Sequence, residues 1–142
     1  MPDVSPEWIL LPVFGHLALI FILFVMVSVR RMQATKAGGL SIDDLAHNGR
    51  EPELSRRWAR NLNNQFQVPM LFYGLIALLF ATNSVTDLQI LLAWVFLFGR
   101  IVHTFVQVAG DNVTLRGRVF TINFVALAAM WLVFGYSRLA LL

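Results

Sequence analysis

Four apolar runs separated by short polar connections constrain this chain more than any other feature. The first, residues 8–29, holds about 22 residues without a formal charge, roughly 33 Å as a helix and enough to cross a bilayer core. It starts beside acidic Asp3 and Glu7 and ends at Arg30 and Arg31, the reverse of a cleaved signal peptide, so it reads as a retained transmembrane helix. Residues 68–81 give only about 14 apolar residues, roughly 21 Å, so this helix must begin earlier and carry Asn61, Asn63, Asn64, Gln65 and Gln67 in its first turns. Residues 88–108 and 119–136 supply two further spans. Hydrophobic residues make up 58% and charged residues 13% of the 142, which excludes an ordinary soluble domain of this size. The expectation is one domain over 1–142, an all-α integral membrane bundle of four transmembrane helices at about 8–29, 57–82, 88–108 and 119–136. With no cysteine there is neither a disulfide framework nor a protein thiolate.

Charge sets the expected orientation. Arg30, Arg31, Lys36, Arg50, Arg56, Arg57, Arg60, Arg116 and Arg118 fall in the two connections on one side, and only Arg138 falls on the other. The positive-inside rule then places both termini outside and the basic connections in the cytoplasm. Topology and contact with membrane lipid account for the net charge of +3, and no nucleic-acid partner is implied. On this orientation the sequon Asn112-Val113-Thr114 stays cytoplasmic and unused. In the 32–60 connection, Gly38-Gly39 reads as a break and Ser41-Ile42-Asp43-Asp44 as a weak capping signature for a short helix.

Polar side chains at membrane depth are costly, so their pattern points to function. At 100° per residue, Arg57, Arg60, Asn61, Asn64 and Gln67 fall within an arc of about 120° on the second helix. On the third, Arg100, His103, Thr104 and Gln107 share an arc of about 100°. Both stripes lie toward the basic side, which predicts a polar cavity there, within one bundle or between subunits. Each stripe has a plainer reading, as snorkelling anchors beside Trp58 or as interhelical hydrogen bonds. His16 reads as a packing residue in the outer half of the first helix, separated from His103 by roughly 10 Å of depth, and His47 falls in a connection. No carboxylate lies inside a span, so no metal site is expected. Phosphate-cradling glycine loops and hydrolase triads are absent. Pro69 removes a backbone donor, frees the carbonyl of Gln65, and predicts a kink just above the stripe.

With those residues in view, Arg60-Asn61, Asn64-Gln65-Phe66-Gln67-Val68-Pro69, Leu71-Phe72-Tyr73, Arg100-Ile101-Val102-His103, Asn112 and Arg116 together make the chain resemble the MAPEG family, the membrane-associated proteins of eicosanoid and glutathione metabolism. The resemblance runs from about Arg57 onward and looks closest to the small bacterial branch, which implies a bacterial inner membrane. It further implies a homotrimer of four-helix subunits, with glutathione bound between subunits toward the cytoplasmic side. Two positions depart from the pattern. Phe66 and Gln67 stand where glutathione-using members carry a glutamate, and Gln107 stands where they carry a tyrosine.

The leading expectation is a cytoplasm-facing pocket for glutathione or another amphipathic anion, serving a transferase or peroxidase reaction on a lipophilic small molecule. Arg57, Arg60, Asn61, Asn64, Gln67, Arg100, His103 and Gln107 would bind the ligand, with Arg60 and Arg100 anchoring carboxylates and Arg116 favouring the thiolate. The alternative is a non-catalytic lipid-binding or scaffold membrane protein in which the same stripes join subunits. The missing glutamate and tyrosine favour that alternative, and the two arginine-bearing stripes favour a ligand.

Overall fold

The computed structural model describes residues 5–38, 41, 43–44, 51–110 and 112–140. A single 3-10 turn at Pro6–Ile9 leads into α1, Leu10–Gly38. Then come α2, Glu53–Asn64, and α3, Val68–Ala81, which together form one interrupted span, followed by α4, Asp87–Ala109, and α5, Val113–Leu139. The result is an all-α bundle with four helical spans long and apolar enough to cross a membrane. Large apolar side chains such as Phe21, Phe105 and Leu132 point outward, 68%, 69% and 74% exposed, as lipid allows and water would not.

Three boundaries differ from those expected, each for a local reason. α1 continues to Gly38 instead of ending at Arg30: the apolar run stops there, but Met32-Gln33-Ala34-Thr35-Lys36-Ala37 holds no helix breaker. α5 starts at Val113 instead of near 119, because the Asn112 side chain caps it, Oδ1 accepting the Leu115 amide at 2.8 Å. The expected polar connection of 109–118 therefore shrinks to three residues, and Arg116 and Arg118 ride on a helix. The second span starts at Glu53 and is broken outright at 65–67, with Gln67 at φ −94°, ψ −97° and Pro69 in the first turn of α3. The kink expected at Pro69 is thus a full interruption.

The bundle packs in two apolar clusters. At the end holding Pro6 and Leu139, Ile9, Phe72, Leu75, Leu79, Ala93, Phe96 and Met130 are fully buried, with Phe72 stacked on Phe96 at 4.5 Å. Nearer the basic end, Ile20, Leu23 and Val27 of α1 close on Leu62 of α2. α4 and α5 make the most extensive helix pair, while α1 follows α2 and α4 closely and diverges from α3. Thr86 caps α4 by accepting the Gln89 amide, and the α3–α4 turn uses Asn83 at φ 50°. In the long connection, Ser41 and Asp44 bond reciprocally as a capping box, as their spacing predicts. Ile42, Gly39, His47 and Arg50 lie outside the described residues.

Candidate functional site

The helix break generates the polar centre. A continuous helix would direct the amide of Val68 to the carbonyl of Asn64; the interruption leaves the α2 C-terminus with unclaimed carbonyls. Arg100 of α4 answers it, its Nη2 donating to Asn64 O at 2.9 Å and its Nε and Nη2 to Gln65 Oε1 at 3.1 and 2.8 Å. A cation at a helix C-terminus also suits the helix dipole. Arg100 is fully buried, with Nη1 unpartnered, and no carboxylate shares its surroundings among the described residues.

The two predicted stripes meet here. Asn61 Nδ2 donates to Thr104 O at 3.2 Å, and Asn64 Nδ2 donates to Gln107 Oε1 at 3.0 Å. Gln65 joins more partners than any predicted residue. Its Nε2 donates to Asn61 Oδ1 at 2.8 Å, while its Oε1 takes Arg100 and lies 3.0 Å from His16 Nε2. His16 Nδ1 in turn sits 2.6 Å from the Tyr73 hydroxyl. His16, expected to be only a packing residue, instead ties α1 into the network at both ring nitrogens.

Beside this buried layer opens a cavity of about 720 Å³, lined by Arg60, Asn63, Asn64, Gln67, His103, Gln107, Val113, Arg116, Gly117 and Phe120. Six of the residues singled out from sequence, Arg60, Asn64, Gln67, His103, Gln107 and Arg116, therefore border one space. Three do not. Asn61 and Arg100 stand behind the lining as its support, and Arg57 pairs with Glu53 at 3.1 Å on the flank of α2. Arg60 also reaches Glu53 at 2.8 Å, and Arg56 pairs with the same carboxylate. Asn63, Val113, Gly117 and Phe120 were missed; Val113, Arg116, Gly117 and Phe120 show i, i+3, i+4, i+7 spacing, legible only once α5 starts at 113.

Among the described residues the lining offers guanidinium, imidazole and amide groups and no carboxylate, a surface suited to an anion. Among the described residues no group of three or more His, Asp or Glu comes together as a metal site. One family's profile matches residues 9–136, a stretch that takes in the interrupted second span and the arginine and histidine one turn apart on α4. The chain belongs to the MAPEG family. No curated protein and no solved structure matches it. As a MAPEG-family integral membrane protein it carries its polar layer across the interrupted span, and Glu51, on the α1–α2 connection, ties the end of α1 to the start of α2. Arg31 Nε and Ser55 Oγ donate to Glu51 Oε1 at 2.8 and 2.7 Å. Partial burial pushes the Glu51 carboxyl up, but these hydrogen bonds and the Arg31 charge outweigh it, holding the group below its ordinary value.

Proposed function

We propose that the cavity holds an amphipathic anion, with glutathione the first ligand to test, and that the protein works as a homotrimer with both termini outside a bacterial inner membrane. The observation that carries this reading is that Arg60 and Arg116 border one cavity with His103, Asn64, Gln67 and Gln107 and, among the described residues, no carboxylate. Arg116 is half-buried and Arg60 is exposed, held by the surface carboxylate of Glu53 in an ion pair that a guest can displace, so both guanidinium groups are accessible to an anion. Arg60 is suited to a ligand carboxylate and Gln67, Asn64 and Gln107 to its amides. Arg116, at the start of α5, would favour the thiolate over the thiol, so that the sulfur attacks a lipophilic electrophile arriving through the bilayer. Arg100 acts here through Asn64 and Gln65, whose positions it fixes.

A second reading is favoured by Phe66 and Gln67, which stand where glutathione-using relatives carry a glutamate. Without that negative charge the amino end of glutathione has no ionic partner, and the cavity would serve a lipid headgroup in a non-catalytic protein. Isothermal titration of glutathione into the purified, detergent-solubilised protein, followed by a thiol-conjugation assay, separates the two. Binding with turnover supports the enzyme; no heat with glutathione, together with co-purified anionic lipid, supports the lipid-binding protein.

A further inference from the structure

On the other side of the helix break lies a second cavity, of about 690 Å³, in the gap where α1 diverges from α3. Its walls are Leu17, Ile20, Phe21 and Phe24 of α1, with Phe66, Met70 and Gly74 opposite, and no charged residue lines it among the described residues. Among those residues its polar lining comes from Gln65 and Tyr73. The direction of each hydrogen bond behind that wall follows from one fixed point. A guanidinium can only donate, so the Gln65 atom facing Arg100 is the carbonyl oxygen. The His16 Nε2 that meets the same oxygen must then carry its hydrogen. A doubly protonated His16 would set a second buried cation beside Arg100 with no carboxylate to offset it, so the ring is neutral and its Nδ1 is an acceptor. The Tyr73 hydroxyl accordingly donates inward to Nδ1. What Tyr73 has left for the cavity it lines is acceptor capacity alone.

We propose that this cavity binds an uncharged long-chain lipophile bearing a hydrogen-bond donor, a long-chain alcohol in chemical class, whose hydroxyl donates to Tyr73. The apolar walls and absent charges fit a hydrocarbon chain, the volume is that of a small-molecule site, and the polarity of the Arg100–Gln65–His16–Tyr73 chain selects donor over acceptor. This assignment is independent of what occupies the polar cavity.

Native mass spectrometry of the full chain, titrated with 1-hexadecanol and in parallel with its methyl ether, tests it. The alcohol should bind roughly tenfold more tightly than the ether, and Tyr73→Phe should abolish that difference. Gly74→Leu is the second variant. A Cβ at Gly74 meets nothing within 4 Å, so the added side chain can enter the cavity without disturbing the backbone, and it should block both probes. Equal binding of alcohol and ether by the parent, no binding of either, or unchanged binding by Gly74→Leu would each overturn the proposal. So would a photo-crosslinker at Met70 that captures a second copy of the chain in the membrane, because the gap would then be a subunit interface. Absence of that adduct, with alcohol-selective binding, supports it.

Discussion

Gly99 and Asn123 face each other so closely across α4 and α5 that a Cβ built on Gly99 would lie 1.7 Å from Asn123 Oδ1. The missing side chain on α4 is what lets a buried asparagine of α5 sit at the heart of the most extensive helix pair in the bundle. Both amide atoms of Asn123 lack a hydrogen-bond partner among the described residues, so the position depends on fit.

Gly99→Ala should therefore lower stability, by about 1–3 kcal/mol, the usual cost of overpacking a filled interior. The double variant with Asn123→Ala should recover most of the loss, since it removes the atom that clashes. Thermal melts of the two single variants and the double variant in detergent give the coupling directly. Simple additivity would show that the two residues do not meet.

Arginine roles separate in the same kind of measurement. Arg100 supports the α2 terminus, so Arg100→Gln should reduce thermal stability, leaving the Asn64 carbonyl and part of the network without donors at roughly 1–3 kcal/mol per buried group. Arg60→Gln and Arg116→Gln should leave stability nearly unchanged while weakening anion binding about tenfold to a hundredfold. Arg138→Gln, at the opposite end, is the control for anion binding alone, because Arg138 Nη2 donates to Thr82 O at 3.2 Å and its loss should itself cost some stability. If Arg100→Gln melts like the parent and loses only the ligand, Arg100 reaches the guest and its placement behind the wall is wrong.

Much of this was legible in the sequence because membrane depth makes polarity informative. The four spans follow from apolar length, and the facing of Asn64 on Gln107 and of Asn61 on Thr104 follows from two helical arcs. Gln65 escaped because its angle on a continuous helix lies outside the stripe, and Pro69 converts that helix into two pieces with Gln65 at the seam. His16 escaped because its partners are Gln65, at that seam, and Tyr73, in the helix beyond it. The early start of α5 escaped because hydropathy tracks the membrane, whereas Asn112 starts the helix by capping it, and with that start went Val113, Gly117 and Phe120.

Acid should loosen the strap between α1 and α2. Glu51 titrates below its ordinary value of 4.5 in the folded protein, so the unfolded chain binds its proton first as pH falls. The stability it contributes is complete above the unfolded value and is lost as pH drops through the lower folded one. Melting temperatures from pH 6 down to pH 3 should show the parent losing an increment that Glu51→Gln lacks from the outset. Parallel curves for the two proteins would mean that the Arg31 and Ser55 contacts carry no net stability.

Glu53 competes with any anionic guest for Arg60. Its Oε1 accepts from Arg60 Nη2 at 2.8 Å and from Arg57 at 3.1 Å, while Oε2 holds Arg56, so one exposed carboxylate occupies the cation at the cavity mouth. A ligand carboxylate must displace that contact, and exposed ion pairs are weak and salt-sensitive, so displacement is shallow. Glu53→Gln should consequently tighten anion binding by no more than about fivefold, with most of the gain at low ionic strength. Arg56→Gln, which touches the same carboxylate but not the cavity, should leave affinity unchanged or slightly weaker, because Glu53 then holds Arg60 more fully. Calorimetric titration of glutathione at two salt concentrations reads both variants. A Glu53→Gln protein that binds no more tightly than the parent at low salt would remove Arg60 from the ligand's contacts and leave Arg116 as the arginine bordering the cavity that remains to meet the anion.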